Sequence, residues 1–438
     1  MNLRNLLIAL SVLVVCVVCV WGIVFVAALP TLMQRLAQTR DGAPAAATAP
    51  ARATGSAVTP GALAETPKPA MPVPSKSFTN EFPKRLLFAL NTDSATEVKQ
   101  VNLILQADGI PTSSRYIPEF TPGKKVSVVY EFDMQKNYLP PGVAGDFWWV
   151  LKDVDGKETT TKKERFRVDE PTIQWKKIEN SQIAIYWYSG EQTFGKAIFD
   201  RAVEALARLE KDTGVKMDKQ AQIFIYGNRN DFLNALGPNV AGFEGGRAHP
   251  EYGIVLIDAG ARQLNYARDA AVHEMTHLVM HAKISGALGE FSFPRWLDEG
   301  LAMYYETVPG PLGAQFALPL NKAIREDTLL TLRSMTGRFP IDQIELGYAE
   351  SFSVVDFIYR KHGREKMQQL LLAIKAGGDV DDILNKVLGV NTDALENEWR
   401  KDIGAKPRTA ATATPATGKP TPFPTFALST DPTPTPAR

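Results

Sequence analysis

The sequence predicts an α+β protein with a mixed sheet and C-terminal helices, preceded by a small β-sandwich and an N-terminal transmembrane helix. Three observations support this prediction: a long apolar run near the N-terminus, a series of short apolar segments separated by turn residues, and helical periodicity after Arg262. Because 438 residues exceed the usual size of one domain, two domains plus non-globular segments are expected.

The run from Leu6 to Leu29 is almost wholly apolar. At about 1.5 Å per residue, a helix of this length can cross a bilayer. Residues 1–38 are therefore predicted to be a membrane anchor, and a cleaved signal segment is the alternative. The positive-inside rule does not decide the orientation, since Arg4 faces Arg35 and Arg40 across the span.

Two segments are too poor in large apolar side chains to fold. Residues 39–75 form an Ala/Thr/Pro linker, and residues 405–438 form a disordered Pro/Thr tail. The linker suits an extracytoplasmic stalk. We therefore expect a single-pass protein of the cell membrane with its folded part outside the cytoplasm, or a secreted protein if the leader is cleaved.

Residues 76–170 show four short apolar runs, at 86–90, 101–105, 126–132 and 147–151, separated by turn signals such as Asp155-Gly156. This spacing is typical of an antiparallel β-sandwich. The segment contains no histidine, and we interpret it as a structural or spacing domain rather than a ligand-binding one.

Residues 171–404 are predicted to form the second domain, in which strands precede most helices. The predicted strands are 183–188, 222–226 and 253–257, with a helix over 193–211 between them. Four C-terminal helices are predicted at 346–360, 365–376, 380–388 and 392–403. This order of elements is that of an α+β domain.

Composition excludes several classes of function. The 49 Lys and Arg residues nearly balance the 48 Asp and Glu residues, so no basic surface for nucleic acid is indicated. The only cysteines, Cys16 and Cys19, lie in the apolar N-terminal run. The rest of the chain therefore has neither disulfides nor thiolate ligands, and any metal must be held by His and carboxylates.

The segment His273-Glu274-Met275-Thr276-His277 carries the strongest chemical signal. Residues four apart share one face of a helix, so His273 and His277 can present two imidazole nitrogens to one metal ion. Glu274 would then point beside the ion, toward a bound water, as the general base of a zinc peptidase. A histidine pair without a metal is the alternative.

A catalytic zinc needs a third protein ligand and one open position. The segment Pro294 to Ala302 places two carboxylates, Asp298 and Glu299, on an amphipathic stretch after the histidines. Either could complete a His, His, carboxylate set.

At these residues the sequence resembles the gluzincin metallopeptidases, and more closely the bacterial, membrane-anchored peptidase MA-like proteins, which join HExxH to a downstream Trp-Leu-x-Glu-Gly-Leu-Ala helix. The resemblance implies a Zn²⁺ cofactor with Glu299, rather than Asp298, as third ligand. It further implies that Glu306, seven residues later, supports a zinc histidine, and that Tyr348 helps to bind the oxyanion. It covers Trp175 to about Ile403.

Two other histidines are weaker candidates. His281 lies four residues after His277, but three successive turns of one straight helix cannot surround one ion, so a position on the helix surface is expected. His249 precedes a strand that could be the edge lining a cleft, where peptide substrates add as an extra strand. A loop histidine without function is the alternative.

The resulting hypothesis is zinc-dependent hydrolysis of peptide or protein substrates, with an endopeptidase favoured because the aminopeptidase motif Gly-Ala-Met-Glu-Asn is missing. The alternative is an extracytoplasmic binding or sensory protein that uses an inactive peptidase scaffold. An intramembrane protease is disfavoured, since the motif lies among charged residues far from the only long apolar run.

Overall fold

The strands of the protein form two sheets in a computed structural model, which describes residues 77–238, 244–284, 293–307 and 309–408. All pairings in the first sheet are antiparallel. Its seven strands are β1 (Phe78–Glu81), β2 (Arg85–Ala107), β3 (Ser114–Tyr116), β4 (Gly123–Asp133), β5 (Ala144–Asp153), β6 (Glu158–Thr160) and β7 (Glu164–Arg167).

Strand β2 runs through both halves of the first sheet. Its first half pairs with β1 and β4, its second half pairs with β3 and β5, and the register shifts between Asp93 and Val98. The two predicted apolar runs at 86–90 and 101–105 are therefore the ends of one strand. The polar stretch between them continues the strand because alternate residues remain half-buried, as the period of two requires.

The second sheet is mixed, as predicted. It consists of β8 (Lys176–Glu179), β9 (Ile183–Trp187), β10 (Ala221–Tyr226), β11 (Gly246–His249) and β12 (Ile254–Asp258), in the order β11-β12-β10-β9-β8. Strands β9, β10 and β12 are parallel, while β8 and β11 pair antiparallel at the two edges.

Both faces of the second sheet are buried. Ile223, Ile225 and Val255 point into a core shared with the helices, whereas Phe224 and Leu256 join the core of the first sheet. The alternation along each strand separates the two cores, and the nearly continuous apolar runs of β10 and β12 follow from burial on both sides.

Helices dominate the C-terminal part, in agreement with the sequence, and several of them cover one face of this sheet. They are α1 (Gln192–Thr213), α2 (Arg229–Ala235), α3 (Leu264–Ile284), α4 (Arg295–Thr307), α5 (Ala314–Glu326), α6 (Ile344–Ala376), α7 (Val380–Leu388) and α8 (Thr392–Asp402). Helix α6 is interrupted at Gly363, where φ is 80°, so its two parts correspond to the two helices predicted there.

The packing of α4 against α6 depends on one glycine. A Cβ atom on Gly300 would lie 2.4 Å from the Ser351 carbonyl oxygen, so only glycine allows the two helices to approach this closely. The adjacent residues Glu299 and Gly300 therefore give α4 a polar side chain that faces α3 and a close backbone contact with α6.

No helix in the described ranges is both long and apolar enough for a membrane span. The predicted span Leu6–Leu29 and the linker at 39–75 lie outside the described residues, as does the tail from residue 409 onward.

Candidate metal centre

Helix α3 carries the predicted motif on a half-buried face. Val272, Met275 and Val279 are fully buried in the core that the helices share with the second sheet. The intervening positions His273 and His277, one turn apart, point away from this core toward α4.

Helix α4 supplies the facing side. Residues Trp296, Leu297 and Leu301 are buried in the core, and Glu299 lies among them with only 4% of its surface exposed. A carboxylate at such a position is stable only where cationic or hydrogen-bonding groups surround it. Its surroundings are the two histidines of α3.

Three potential ligand atoms form a nearly equilateral triangle. The two Nε2 atoms of His273 and His277 are 3.2 Å apart, and Glu299 Oε2 lies 3.4 Å from the first and 3.3 Å from the second. In a tetrahedral site with Zn–N of about 2.0–2.1 Å, neighbouring ligand atoms lie about 3.3 Å apart. The triangle therefore has the dimensions of one face of a zinc coordination tetrahedron.

The environment of the triangle fits a cation. Glu299 Oε2 is buried, and the polar atoms that face it are the two histidine Nε2 atoms at 3.4 and 3.3 Å. Burial raises its pKa, but the charges of His277 and His273 outweigh that effect and hold the pKa well below the usual value. Burial has the opposite effect on His273, whose pKa it lowers, but hydrogen bonds with Glu299 and Glu306 raise that pKa to about 10. The carboxylates thus favour positive charge at this point, and the residues present fit Zn²⁺.

Each histidine is also held on its far side. His273 Nδ1 lies 2.9 Å from Glu306 Oε2, where the resemblance placed a supporting glutamate. His277 Nδ1 lies 2.9 Å from Asp298 Oδ1. Metal-bound histidines commonly donate their second N–H to a carboxylate, which fixes the ring and its tautomer. The sequence analysis did not assign Asp298 this position, although its place beside Glu299 and the period of α4 could have indicated it.

The expectation for His281 was wrong. Its side chain is only 13% exposed, and Nε2 lies 2.9 Å from Asp298 Oδ2. It stands outside the ligand triangle, as the geometry of three successive turns requires, but it is part of the same buried polar cluster.

His249 lies on the other face of the sheet. It is the last residue of β11, is 9% exposed, and its ring packs against Tyr138 at 5.8 Å between centroids. Burial lowers its pKa to about 3. The edge strand of the sheet is β11 itself, not the following strand that was predicted to be the edge, and His249 packs against Tyr138 away from the metal centre.

Glu274 faces the edge strand β11. Its carboxylate accepts a hydrogen bond from the Ala248 N–H, and a Cβ atom on Gly246 would lie 2.6 Å from its Oε1 atom. Burial raises the pKa of Glu274, although the charges of His273 and His277 oppose that effect. A side chain at position 246 would therefore displace the Glu274 carboxylate from its place between the helix and the strand.

Tyr348, at the start of α6, lies beside the same site. Its ring centroid is 6.1 Å from that of His273. Arg295 connects this tyrosine to the ligand triangle, because its guanidinium hydrogen-bonds to the Tyr348 hydroxyl and lies 2.7 Å from Glu299 Oε1. Arg295 thus holds one oxygen of Glu299 and leaves the other facing the histidines, a role that the sequence analysis did not anticipate.

Comparisons with known proteins agree with this geometry. Residues 201–405 match the family model of the Peptidase MA superfamily, and this range contains every residue of the metal centre. A search of curated proteins found no match.

Solved structures give only distant similarity. The M1 zinc metallopeptidase from Deinococcus radiodurans is 11% identical, with 77% of this chain and 93% of that chain covered and a TM-score of 0.36. An aminopeptidase N family protein from Idiomarina loihiensis is 8% identical, with 73% and 70% covered and a TM-score of 0.34. Such scores are too low to transfer a mechanism.

The family match, the paired histidines and the buried glutamate agree with one another. The ligand set is one that Zn²⁺ takes in catalytic sites with an open fourth position. Residues 201–405 therefore match the Peptidase MA superfamily and contain a histidine and glutamate set that fits Zn²⁺.

Proposed function

We propose that the protein hydrolyses peptide bonds with a zinc ion held by His273, His277 and Glu299. The observation that carries this proposal is the triangle of their ligand atoms, with edges of 3.2 to 3.4 Å and an otherwise unbonded glutamate oxygen. Zinc bound there would polarise the scissile carbonyl and lower the pKa of the attacking water.

Glu274 acts as the general base in this proposal. It lies on the same helix as both histidines, and its raised pKa brings proton exchange closer to neutral pH. The carboxylate takes a proton from the attacking water and later delivers it to the leaving amine. The Ala248 N–H holds the carboxylate at the edge strand, where the substrate's reacting bond would lie.

The edge strand β11 offers a binding surface for an extended peptide. Asp258 N–H donates to the Gly245 carbonyl, so the antiparallel ladder joins residues 245, 247 and 249 to β12. The backbone groups of Gly246 and the Ala248 carbonyl alternate to the opposite edge, where the Ala248 N–H already donates to Glu274. A substrate added there as a further strand would place its side chains alternately toward and away from the zinc site.

Tyr348 is proposed to donate a hydrogen bond to the developing oxyanion. Burial raises the pKa of Tyr348, so its hydroxyl keeps the proton that such a bond requires. Arg295 orients the hydroxyl and, through its contact with Glu299, couples it to the metal ligand.

An endopeptidase is favoured over an aminopeptidase. An aminopeptidase must bind the substrate's terminal ammonium with a carboxylate near the zinc. Among the described residues, Glu306 and Asp298 are engaged by histidines, and Glu244 and Asp258 pair with arginines. On β11 the face toward α3 carries only Gly246 and Ala248.

A digest of a peptide library tests this function. Peptides blocked at both termini should be cleaved internally by the zinc-loaded protein, and a chelator should abolish cleavage until zinc is restored. Release of single N-terminal residues from unblocked peptides alone would replace the endopeptidase by an aminopeptidase. Stoichiometric zinc without any hydrolysis would favour the binding or sensory scaffold.

The location outside the cytoplasm is also part of the proposal, and it rests on the apolar run Leu6–Leu29 and the linker at 39–75. Protease added to intact cells should digest the folded part if it is anchored at the surface. Recovery of the protein in the soluble cytoplasmic fraction would contradict this location.

A further inference from the structure

The buried polar cluster extends one helical turn beyond the zinc ligands. Asp298 uses both carboxylate oxygens on histidines, with Oδ1 2.9 Å from His277 Nδ1 and Oδ2 2.9 Å from His281 Nε2. All three side chains are only 13–14% exposed. The contact of Asp298 with His277 is accounted for by the metal centre, whereas the contact with His281 is not.

His281 lies on the same face of α3 as the ligand His277. His277 and His281 are one turn apart on α3, and their rings lie 6.0 Å apart between centroids. The His281 ring also packs edge-on against Phe293, just before α4 begins, with 5.9 Å between the ring centroids. His281 is therefore fixed between the two helices that carry the ligands.

From this arrangement we infer that His281 is a positioning residue of the zinc centre, which acts on the ligand His277 through Asp298. One hydrogen bond to each oxygen holds the carboxylate, so that Oδ1 keeps the His277 ring turned with Nε2 toward the metal. Without His281, Asp298 could rotate about its side-chain bonds, and the orientation of His277 would be less restricted. This inference rests on the proposed zinc site.

A metal ion in this second cluster is the competing interpretation, since His277, His281 and Asp298 could supply three ligand atoms. The distances disfavour it. Both histidine nitrogens lie at 2.9 Å from the carboxylate, which is the length of a direct N–H···O hydrogen bond.

The test compares two substitutions of His281 in the full chain. His281→Phe keeps a planar ring but removes the donor, whereas His281→Gln keeps an N–H donor at a similar reach. Loss of an outer partner typically weakens metal binding 10–100-fold. We expect a zinc dissociation constant raised about 10-fold in His281→Phe and nearly unchanged in His281→Gln, measured by chelator competition.

A matched control separates this role from general destabilisation. His362 lies on α6, outside the metal centre, so His362→Phe should leave zinc affinity unchanged. The zinc-free forms of His281→Phe and His281→Gln should have similar unfolding temperatures. Their zinc dissociation constants should nevertheless differ by about 10-fold. A loss of affinity that merely followed the stability of the zinc-free fold would overturn the inference.

A double variant tests the route through Asp298. Asp298→Asn should weaken zinc binding, and adding His281→Phe to it should weaken binding little further. The reason is that substitutions within one hydrogen-bond network have non-additive effects. Fully additive losses, wild-type affinity in His281→Phe, or a second zinc equivalent bound by the wild-type protein would each contradict the inference. Absence of any bound zinc in the wild-type protein would instead overturn the proposed function.

Discussion

Two buried glutamates of the helical region, Glu299 and Glu350, differ in charge although both are almost fully buried, at 4% and 0% exposure. The histidines beside Glu299 keep its pKa well below the usual value. Burial raises the pKa of Glu350 to about 8, although the Leu330 N–H and the charge of Arg400 oppose that effect. At neutral pH Glu299 is therefore ionised and Glu350 is protonated. Burial alone does not make a metal ligand; the neighbouring groups decide whether the carboxyl keeps its charge.

The two residues also differ in the charges that surround them. Near Glu350, the acid Glu396 is balanced by Arg400 and Arg408, whose Nε atoms lie 2.9 and 2.8 Å from its Oε1. Arg400 also donates to the Leu329 and Leu330 carbonyl oxygens. This cluster joins α8 to the segment after α5, and its two guanidinium groups outnumber the one Glu396 carboxylate, so it lacks no positive charge.

Around Glu299 the balance is different. The carboxylates of Glu274, Asp298 and Glu306 lie near it, and among the described groups that contact Glu299 itself, Arg295 is the one permanent cation. A divalent ion would supply the missing positive charge. The metal centre is thus the cluster that needs a ligand, and the cluster around Glu396 is structural.

The largest effect is expected on turnover, and it distinguishes a residue that takes part in the reaction from one that only stabilises the helical region. Glu274→Gln should lower turnover by about 10²–10⁴, since an amide cannot accept the proton. Zinc content and thermal unfolding should remain near those of the wild type. The control is Glu350→Gln, which replaces a neutral carboxyl by a neutral amide and should leave turnover nearly unchanged at pH 7. Equal turnover in wild type and Glu274→Gln would exclude this residue as the base.

The next effect concerns zinc itself. Glu299→Gln removes the ionised ligand and should weaken zinc binding by more than the roughly 100-fold upper range for an outer partner. Glu350→Gln, a substitution of the same type in an equally buried residue, should retain stoichiometric zinc. Metal analysis after dialysis against a weak chelator measures both. Stoichiometric zinc in Glu299→Gln under these conditions would exclude it as a ligand.

A smaller effect on kcat is expected at Gly246, where the backbone of β11 approaches the Glu274 carboxylate. Gly246→Ala places a methyl group where the Glu274 carboxylate lies, and a displacement of about 1 Å can cost up to about 10² in rate. We expect kcat to fall about 10-fold or more with zinc retained. Gly337→Ala is the matched control, because no atom lies within 4 Å of its added Cβ. Wild-type kcat in Gly246→Ala would show that the carboxylate can move without loss.

The last effect is on the free energy of unfolding, and it tests whether Glu350 is protonated in the folded protein. Its pKa in the folded protein, about 8, exceeds the unfolded value of about 4.5, so folding takes up a proton between these values. The stabilisation is complete below about pH 4.5 and is lost as pH rises toward 8. At about 1.4 kcal/mol per pKa unit, the total is at most about 5 kcal/mol.

Urea unfolding at pH 5 to 8 measures this dependence. The free energy of unfolding should fall with pH in the wild type and fall less in Glu350→Gln. Part of the slope should remain below pH 7, because burial also raises the pKa of Glu170 to about 7. Identical slopes in wild type and variant would show that Glu350 is ionised in the folded protein.

Much of the fold could be predicted because its signals are local. The strands at residues 183, 222 and 254 and the helices from residue 346 onward follow from apolar periodicity and agree with the structure within a few residues. The single long strand β2 could not be predicted, since its polar middle is held by pairing with β4 and β5 rather than by its own apolar pattern.

The same division applies to the site. The pair His273 and His277 and the base Glu274 are determined by local sequence, because a spacing of four on one helix suffices to place them together. The resemblance to known peptidases was needed to choose Glu299 over Asp298, since both lie in the same turn of α4.

Only the tertiary structure placed the remaining groups. Gly246 lies against Glu274, Arg295 joins Glu299 to Tyr348, and His281 shares Asp298 with His277. These contacts join elements that are distant along the chain, or depend on the direction in which one helix faces another. The spacing of residues determines which side chains share a face of one helix. It does not determine which residues of another element face them, because that depends on how the helices and strands pack together.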